Sequence, residues 1–223
     1  MSEHSLTVLS SPPVSTARKQ TATGRAAPLP LPERREALIV TAIALIRERH
    51  MLPTTREIAQ AAGVAEGTIF RAFATKDELF DAVLDRTFEA GPFFDRLAKI
   101  DGAAGLEQVM IDIVSQLQAR FVQLFEVMGA FSLMGPPERF RDPKAQREQE
   151  EHGAALIHGL LEPYAGELRL PVNRVAQLMR LLTFSGSHQR INDGEILAPE
   201  EIVHTILFGV TTDVRIHHEP EGN

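Results

Sequence analysis

Thr54-Thr-Arg-Glu-Ile-Ala-Gln-Ala-Ala-Gly-Val-Ala-Glu-Gly-Thr-Ile-Phe-Arg-Ala-Phe73 is the stretch that decides the fold. Its first four residues form a capping box: the Thr54 hydroxyl is placed to accept from the Glu57 amide while the Glu57 carboxylate reaches back to Thr54, so a helix starts there. Gly63 ends it, because glycine takes the left-handed conformation that stops a helix sharply. A second short helix follows from Glu66 to Phe73. The spacing Ala59-x3-Gly63-x5-Ile69 supplies what two helices crossing at a tight turn need: a small residue at the contact, a glycine in the turn and an apolar residue seating the second helix. With Ile58, Val64 and Phe73 these residues predict a small three-helix core against Leu38, Ala42 and Ile46. That leaves Glu66, Gly67, Thr68, Phe70, Arg71 and Ala72 outward, the surface a recognition helix presents to the major groove. Spacing alone fits a helical hairpin inside an all-α core equally well.

Working upstream, Leu38, Ile39, Ala42, Ile43, Leu45 and Ile46 recur at three- and four-residue intervals, a helix starting at Glu33 and closed by Pro53. Residues 1–32 are rich in Ser, Thr, Ala and Pro without periodicity and read as a disordered arm. Its Arg18, Lys19 and Arg25 suit either an adjacent minor groove or a solvated tail. Downstream, Thr75-Lys-Asp-Glu78 is a second capping box opening a helix that turns Leu79, Phe80, Val83 and Leu84 inward. The boundary of this head (33–88) falls near Arg86 to Phe94. Beyond it, 89–216 reads as a larger helical body, with helices from Gly105 to about Met128, from Asp142-Pro143 to about Glu162, from Val172 to His188 and from Pro199 to Gly209. Residues 217–223 are a tail. No segment alternates as a strand does, so the fold class is all-α.

The 223 residues are 43% hydrophobic and 24% charged, the composition of a packed globular protein. Net charge is −7, which argues against a nucleic-acid partner until its distribution is considered. Residues 1–80 hold ten Lys/Arg against eight Asp/Glu, and residues 81–223 hold thirteen against twenty-two. The acidity belongs to the C-terminal part, and a locally basic face can still meet DNA. There is no cysteine, which removes disulfides, thiolate metal sites and cysteine nucleophiles. Met1 to Ser10 lacks the layout of a signal peptide, and the longest apolar run, Ala37 to Ile46, is about half of a bilayer crossing. The expectation is a cytoplasmic protein without a membrane span.

The segment from Arg34 to Phe88, and above all TTREIAQAAGVAEGTIFRAFATKDELF, closely resembles the DNA-binding domain of the TetR (tetracycline repressor) family of regulators. The resemblance covers about fifty residues and includes the lysine-bearing start of the fourth helix; Leu197 to Gly209 also resembles the family's last helix. It implies an N-terminal three-helix helix-turn-helix domain plus a C-terminal ligand-binding and dimerisation domain. Carried over by position, Thr54 and Thr55 stand where a helix N-terminus meets phosphate, and Lys76 is placed to pair with another phosphate. Glu66, Gly67, Thr68, Phe70 and Arg71 face the groove, with Arg71 suited to bind guanine O6 and N7 for about 1–3 kcal/mol of discrimination. Glu66 is suited to accept from a cytosine N4 or to pair with Arg71. Two positions depart from the family pattern: Phe70 stands where tyrosine is usual, and Ala65 replaces the usual capping serine or threonine, a loss of ~1 kcal/mol.

In the body, large flexible apolar residues suit an adaptable cavity for a hydrophobic small-molecule effector: Phe121, Phe125, Met128, Phe131, Met134 and Phe184, with Gln118, His158 and His188 as polar groups to orient it. Taken singly, each of the apolar residues is more often plain core packing, and each histidine more often a satisfied core or surface group. Leu178, Leu181, Leu182, Ile202, Val203, Ile206, Leu207 and Val210 offer a two-fold four-helix interface. His152 and His158 are six apart, off the spacing that puts two imidazoles on one helical face, so no metal and no cofactor is assigned. Ser185-Gly-Ser-His188 lacks the strand-turn-helix context that exposes a catalytic serine, so no enzyme is expected. The reading is a DNA-binding regulator, a ligand-responsive homodimeric repressor on a palindromic operator; the alternative is a helical small-molecule-binding protein or enzyme with a vestigial head.

Overall fold

The computed structural model describes residues 30–189 and 191–210. Helix α1 (Leu31–Arg49) buries the stripe read from the sequence, Leu38, Ile39, Ala42, Ile43, Leu45 and Ile46. It starts two residues before Glu33. Pro32 lies in its first turn, where a fixed φ favours the helix and the missing amide costs nothing. The end of the proline-rich segment is therefore the start of α1; the rest of the predicted arm, with Arg18, Lys19 and Arg25, lies outside the described residues, as does the 217–223 tail. The helix also closes before Pro53, because His50 turns left-handed at φ 55° and donates its amide to the Ile46 carbonyl at 2.8 Å.

Helices α2 (Thr55–Ala61), α3 (Glu66–Ala72) and α4 (Lys76–Phe88) complete the head. The first capping box forms in full: the Thr54 amide donates to Glu57 at 2.7 Å and the Glu57 amide to the Thr54 hydroxyl at 3.2 Å. Gly63 stands at φ 68° with open space around it, so conformation rather than room requires glycine there. The second box forms in half. Thr75 accepts from the Glu78 amide at 3.0 Å, but Glu78 reaches past Thr75 to the Ala74 amide at 2.6 Å and takes a second donor, the Arg35 guanidinium, at 2.9 Å. Ile58, Ala59, Ile69 and Phe73 are buried with α1 as read. Two assignments are exchanged: Val64 lies at the surface and Ala72 is buried, since Ala72 follows Ile69 by three residues and shares its face.

The body is built from α5 (Gly91–Leu97), α6 (Leu106–Ala130), α7 (Pro143–Leu161), α8 (Val172–Gly186) and α9 (Pro199–Phe208). Asp142 caps α7 through the Lys144 amide at 3.0 Å, with Pro143 in the first turn. Gly91-Pro92 opens α5. Its seven residues bury Phe93 and Leu97, too few for a periodic signal. A second core gathers Val109, Met110, Ile113 and Leu117 of α6 with Ile157 and Leu161 of α7, Val175 and Met179 of α8, and Ile202 and Val203 of α9.

Helix α6 joins the halves, because its Val127 is buried in the head core while its first turns belong to the second core. Beside it, Arg120 donates to the carbonyls of Thr87 and Phe88 at 2.5 and 3.0 Å, capping the C-terminus of α4, where unpaired carbonyls and the helix dipole favour a cation. Phe80 meets Phe131 edge-on at 5.7 Å, and Phe88 stacks on Phe140 at 4.6 Å. Arg139 reaches Asp81 and Asp85, each at 3.1 Å. The outer face of α4 is thus tied to the segment that follows α6.

The two capping glutamates carry a pH dependence. The Thr54 amide holds Glu57 below the ordinary glutamate value of 4.5, and the Ala74 amide, then Arg35, does the same for Glu78. Groups with depressed folded values contribute stability above the ordinary value and lose it as pH falls through the folded value. Glu78→Gln should therefore be less stable than the parent at neutral pH and lose less between about pH 4.5 and pH 3. Urea midpoints across that range check this; parallel pH profiles for the two chains would reject it.

Candidate nucleic-acid interface

Ile69 and Ala72 anchor α3 inward, and a period of 3.6 residues then turns Glu66, Gly67, Phe70 and Arg71 outward, with Thr68 half-buried at the side. Arg71 is exposed and makes no hydrogen bond or ion pair with another described residue. Its five N–H donors are open to an outside acceptor. Phe70 exposes 50% of its surface, an apolar ring presented to solvent beside that guanidinium. Ala65 gives α3 no side-chain cap, as its lack of a hydroxyl requires.

Instead, α3 is fastened at its start by Thr55, whose hydroxyl donates to the Glu66 carboxylate at 2.6 Å. Glu66 therefore pairs with α2 and not with Arg71, and the first turns of α2 and α3 are held side by side. The Thr54 hydroxyl is likewise engaged, donating to Glu57 at 2.8 Å, and Arg49 closes on the same carboxylate at 2.5 Å. What Thr54 and Thr55 still offer an anion is the positive end of the helix. Lys76 lies exposed at the start of α4 with its ammonium 5.3 Å from the Phe80 ring centre, a cation–π contact that steadies the stem and leaves the donors available.

Two residues of this surface were not read from the sequence. Arg56, in the exposed first turn of α2, has no partner among the described residues and adds a cation beside Thr54 and Thr55. Arg35 lies over the Phe73 ring at 4.1 Å, donates to the Ala72 carbonyl and pairs with Glu78. It thereby binds the end of α3 to α1 and α4. Nothing local marks Arg35, since its partners are 37 and 43 residues away; a basic residue on the polar side of a helix gives no signal of that kind.

The predicted effector residues divide. Phe121, Phe125, Phe184 and His188 come together, with Phe184 edge-on to Phe121 at 5.3 Å and to Phe125 at 5.1 Å, and His188 4.5 Å from Phe125. The Nδ1 of His188 is buried with no hydrogen-bond partner among the described residues. Gln118 is beside α9, donating to the Leu197 carbonyl at 2.7 Å. Met128 is half-buried. Phe131 belongs to the junction with α4. Met134 is 98% exposed, and His158 is at the surface opposite Glu162 at 3.4 Å. Both lie away from the aromatic group because each follows or faces outward from a helix whose apolar side is already covered.

Among the eight candidate interface residues, Ile202 and Val203 are buried in their own subunit's core, and Ile206 and Leu207 pack against that core. Leu178 is half-buried, while Leu181, Leu182 and Val210 are exposed. The Ser187 hydroxyl donates back to the Thr183 carbonyl at 2.5 Å as α8 ends. Among the described residues no cluster of His, Asp or Glu is arranged to hold a metal, and no helix is long and apolar enough to cross a membrane. His217 and His218 lie outside the described residues.

A four-helix head whose third helix carries an outward arginine with no partner among the described residues, set on a helical body, is the arrangement of a helix-turn-helix DNA-binding regulator. Residues 38–83, within the head, match the model for bacterial regulatory proteins of the tetR family. The family is one of regulators rather than enzymes. The likeness in fold extends through the body. A tetR-family transcriptional regulator from Streptomyces coelicolor is similar over 80% of this chain and 80% of its own, with a TM-score of 0.52 at 19% identity. The fatty acid degradation regulator FadR from Bacillus halodurans is similar over 79% of this chain and 96% of its own, with a TM-score of 0.50 at 18% identity.

Glu66 is the acidic residue on the outward side of α3, and its charge would repel a DNA phosphate brought there. Glu66→Gln keeps an acceptor for Thr55 and removes the repulsion, so it should tighten binding to arbitrary duplex DNA by a few-fold, roughly 1 kcal/mol at low salt. Fluorescence anisotropy with a random-sequence duplex measures this, and weaker binding by the variant would show that the carboxylate helps instead.

Proposed function

We propose that the chain is a ligand-responsive homodimeric repressor that binds a palindromic operator in the cytoplasm. The observation that carries the reading is the outward face of α3, where Arg71 stands unpaired beside Gly67 and Phe70 while Lys76, Arg56 and the starts of α2 and α4 flank it. In this reading Arg71 reads a base edge, Gly67 permits close backbone approach, and Phe70 packs on sugar or a thymine methyl. Thr54, Thr55 and Lys76 bind phosphates. Thr68 and Glu66 fix the edge of the contact, Glu66 through Thr55.

The head of this reading is 33–88 and the body 89–216. Two-fold pairing uses the apolar groups α8 and α9 leave outward, Leu181, Leu182, Phe208 and Val210, with Leu178 at the margin. Ile202, Val203, Ile206 and Leu207 support that surface from beneath. Paired heads about 34 Å apart address successive major grooves, which makes the operator palindromic. The aromatic group of Phe121, Phe125, Phe184 and His188 receives a hydrophobic effector, with the unpartnered His188 nitrogen as its polar contact. Effector binding lowers operator affinity through a coupling free energy between the two sites.

Fragments selected from genomic DNA supply the operator, and two variants then test the assignment. Arg71→Ala should lose about 1–3 kcal/mol on the operator and relax preference at one base position in each half-site. Lys76→Ala should weaken operator and random duplex alike and reduce the slope of log affinity against log salt by about one. Unchanged operator affinity in both variants would sink the reading.

A further inference from the structure

A cleft of about 180 Å³ opens where head and body meet, between α1, the end of α4, α5 and α6. Four guanidinium groups line it: Arg47, Arg86, Arg96 and Arg120. Their partners are unequal. Arg47 pairs with Glu126 at 3.1 Å, and Arg86 with Glu36 at 2.9 Å and Glu89 at 3.4 Å. Among the described residues, Arg96 bonds only the neutral Gln116 side-chain oxygen, at 2.9 Å, and Arg120 only the two carbonyls at the end of α4. Glu89 lines the cleft too but is bonded to Arg86, so among the described residues Arg96 and Arg120 face it without a carboxylate in hydrogen-bond contact with either.

The arrangement is costly for Arg120. Burial, followed by the nearby charges of Arg96 and Arg86, lowers its pKa to about 10, with Glu89 opposing. The α4 carbonyls explain why a donor stands there; they do not explain why two further arginines stand beside it. Val40, Ile43 and Phe93 line the same cleft and give it an apolar wall. Guanidinium groups bind carboxylate and phosphate through paired N–H donors, and Arg120 spends only part of its donor set on Thr87 and Phe88.

We propose that this cleft binds the oxyanion of a small ligand, a carboxylate or a phosphate held between Arg96 and Arg120, with any short apolar portion lying against Val40, Ile43 and Phe93. The aromatic group around His188 is a separate place. Because Arg120 also caps α4, whose other end carries Lys76, occupancy acts on the placement of the head. That second part rests on the DNA-binding reading; the binding itself does not.

The full chain is titrated by calorimetry with sodium phosphate and with sodium hexanoate, at ionic strength matched by sodium chloride. Saturable binding of either probe beyond chloride is expected, phosphate alone indicating a phosphate ligand and hexanoate alone a carboxylate with an apolar tail. Arg96→Gln, a change at an exposed residue that leaves the cores intact, should weaken that binding about tenfold or more. Arg147→Gln, on α7 and outside the cleft, should leave it unchanged. No saturable binding, or equal binding by Arg96→Gln and the parent, overturns the proposal. With the probe that binds, operator affinity should change about threefold or more in the parent and not in Arg96→Gln. An unchanged parent overturns the coupling. A chain that binds the probe through Arg96 and binds no DNA overturns the regulator reading and leaves the site standing.

Discussion

Two seven-residue helices cannot stand by themselves in water, and everything the head does depends on how α2 and α3 are held against α1 and α4. The holding is apolar. Ile58, Ala59, Ile69, Ala72 and Phe73 are all buried, and each full burial of such a side chain contributes on the order of 1.5–3 kcal/mol for the larger ones. Direction follows from the same contacts. Once Ile69 and Ala72 point inward, the pitch of the helix leaves Phe70 and Arg71 no other way to face than out. The outward face of α3 is thus a consequence of the core, not an addition to it. Polar fastening then fixes what burial leaves loose: Thr55 to Glu66 at the start of α3, and Arg35 to the Ala72 carbonyl and Glu78 at its end.

The connection to the body follows a similar logic on a larger scale. Helix α6 contributes Val127 to one core and Val109 through Leu117 to the other. A straight helix shared between two packed cores cannot shift in one without disturbing the other, since close-packed interiors transmit displacement. Arg120 adds a directional element. Its guanidinium is bound to the last carbonyls of α4, so the head's fourth helix is gripped from the body at its C-terminus and from α1 along its length. Phe131, Arg139 and Phe140 hold the same helix from the segment around the end of α6.

Much of this was legible in the sequence because the signals are local. The buried stripe of α1, the Thr54 capping box, the left-handed Gly63 and the Asp142 cap each depend on residues within four positions of one another. The misreadings are the places where a distant residue intervenes. Glu78 was expected to close a box on Thr75, but Arg35 competes for its carboxylate and draws it toward the Ala74 amide. Helix α5 buries only two residues, so no period identifies it. Ile202 and Val203 were placed on an outer face, because an apolar helix near the end of a chain gives no indication which of its sides the same subunit will cover. Met134 reads as core by residue type alone and stands beyond the end of α6 instead.

Charge separates the two halves where packing joins them. The first 80 residues are weakly basic and the remainder strongly acidic. Within the head, many of the cations are already matched: Arg35 by Glu78, Arg49 by Glu57 and Arg86 by Glu36 and Glu89. Arg71 and Arg56, with Lys76 above Phe80, carry no carboxylate partner among the described residues, and they lie on the side of the head formed by α2, α3 and the start of α4. An acidic body repels the duplex from every other approach. A chain with net charge −7 can therefore bind DNA through a few residues, and its overall acidity helps confine that contact to one face.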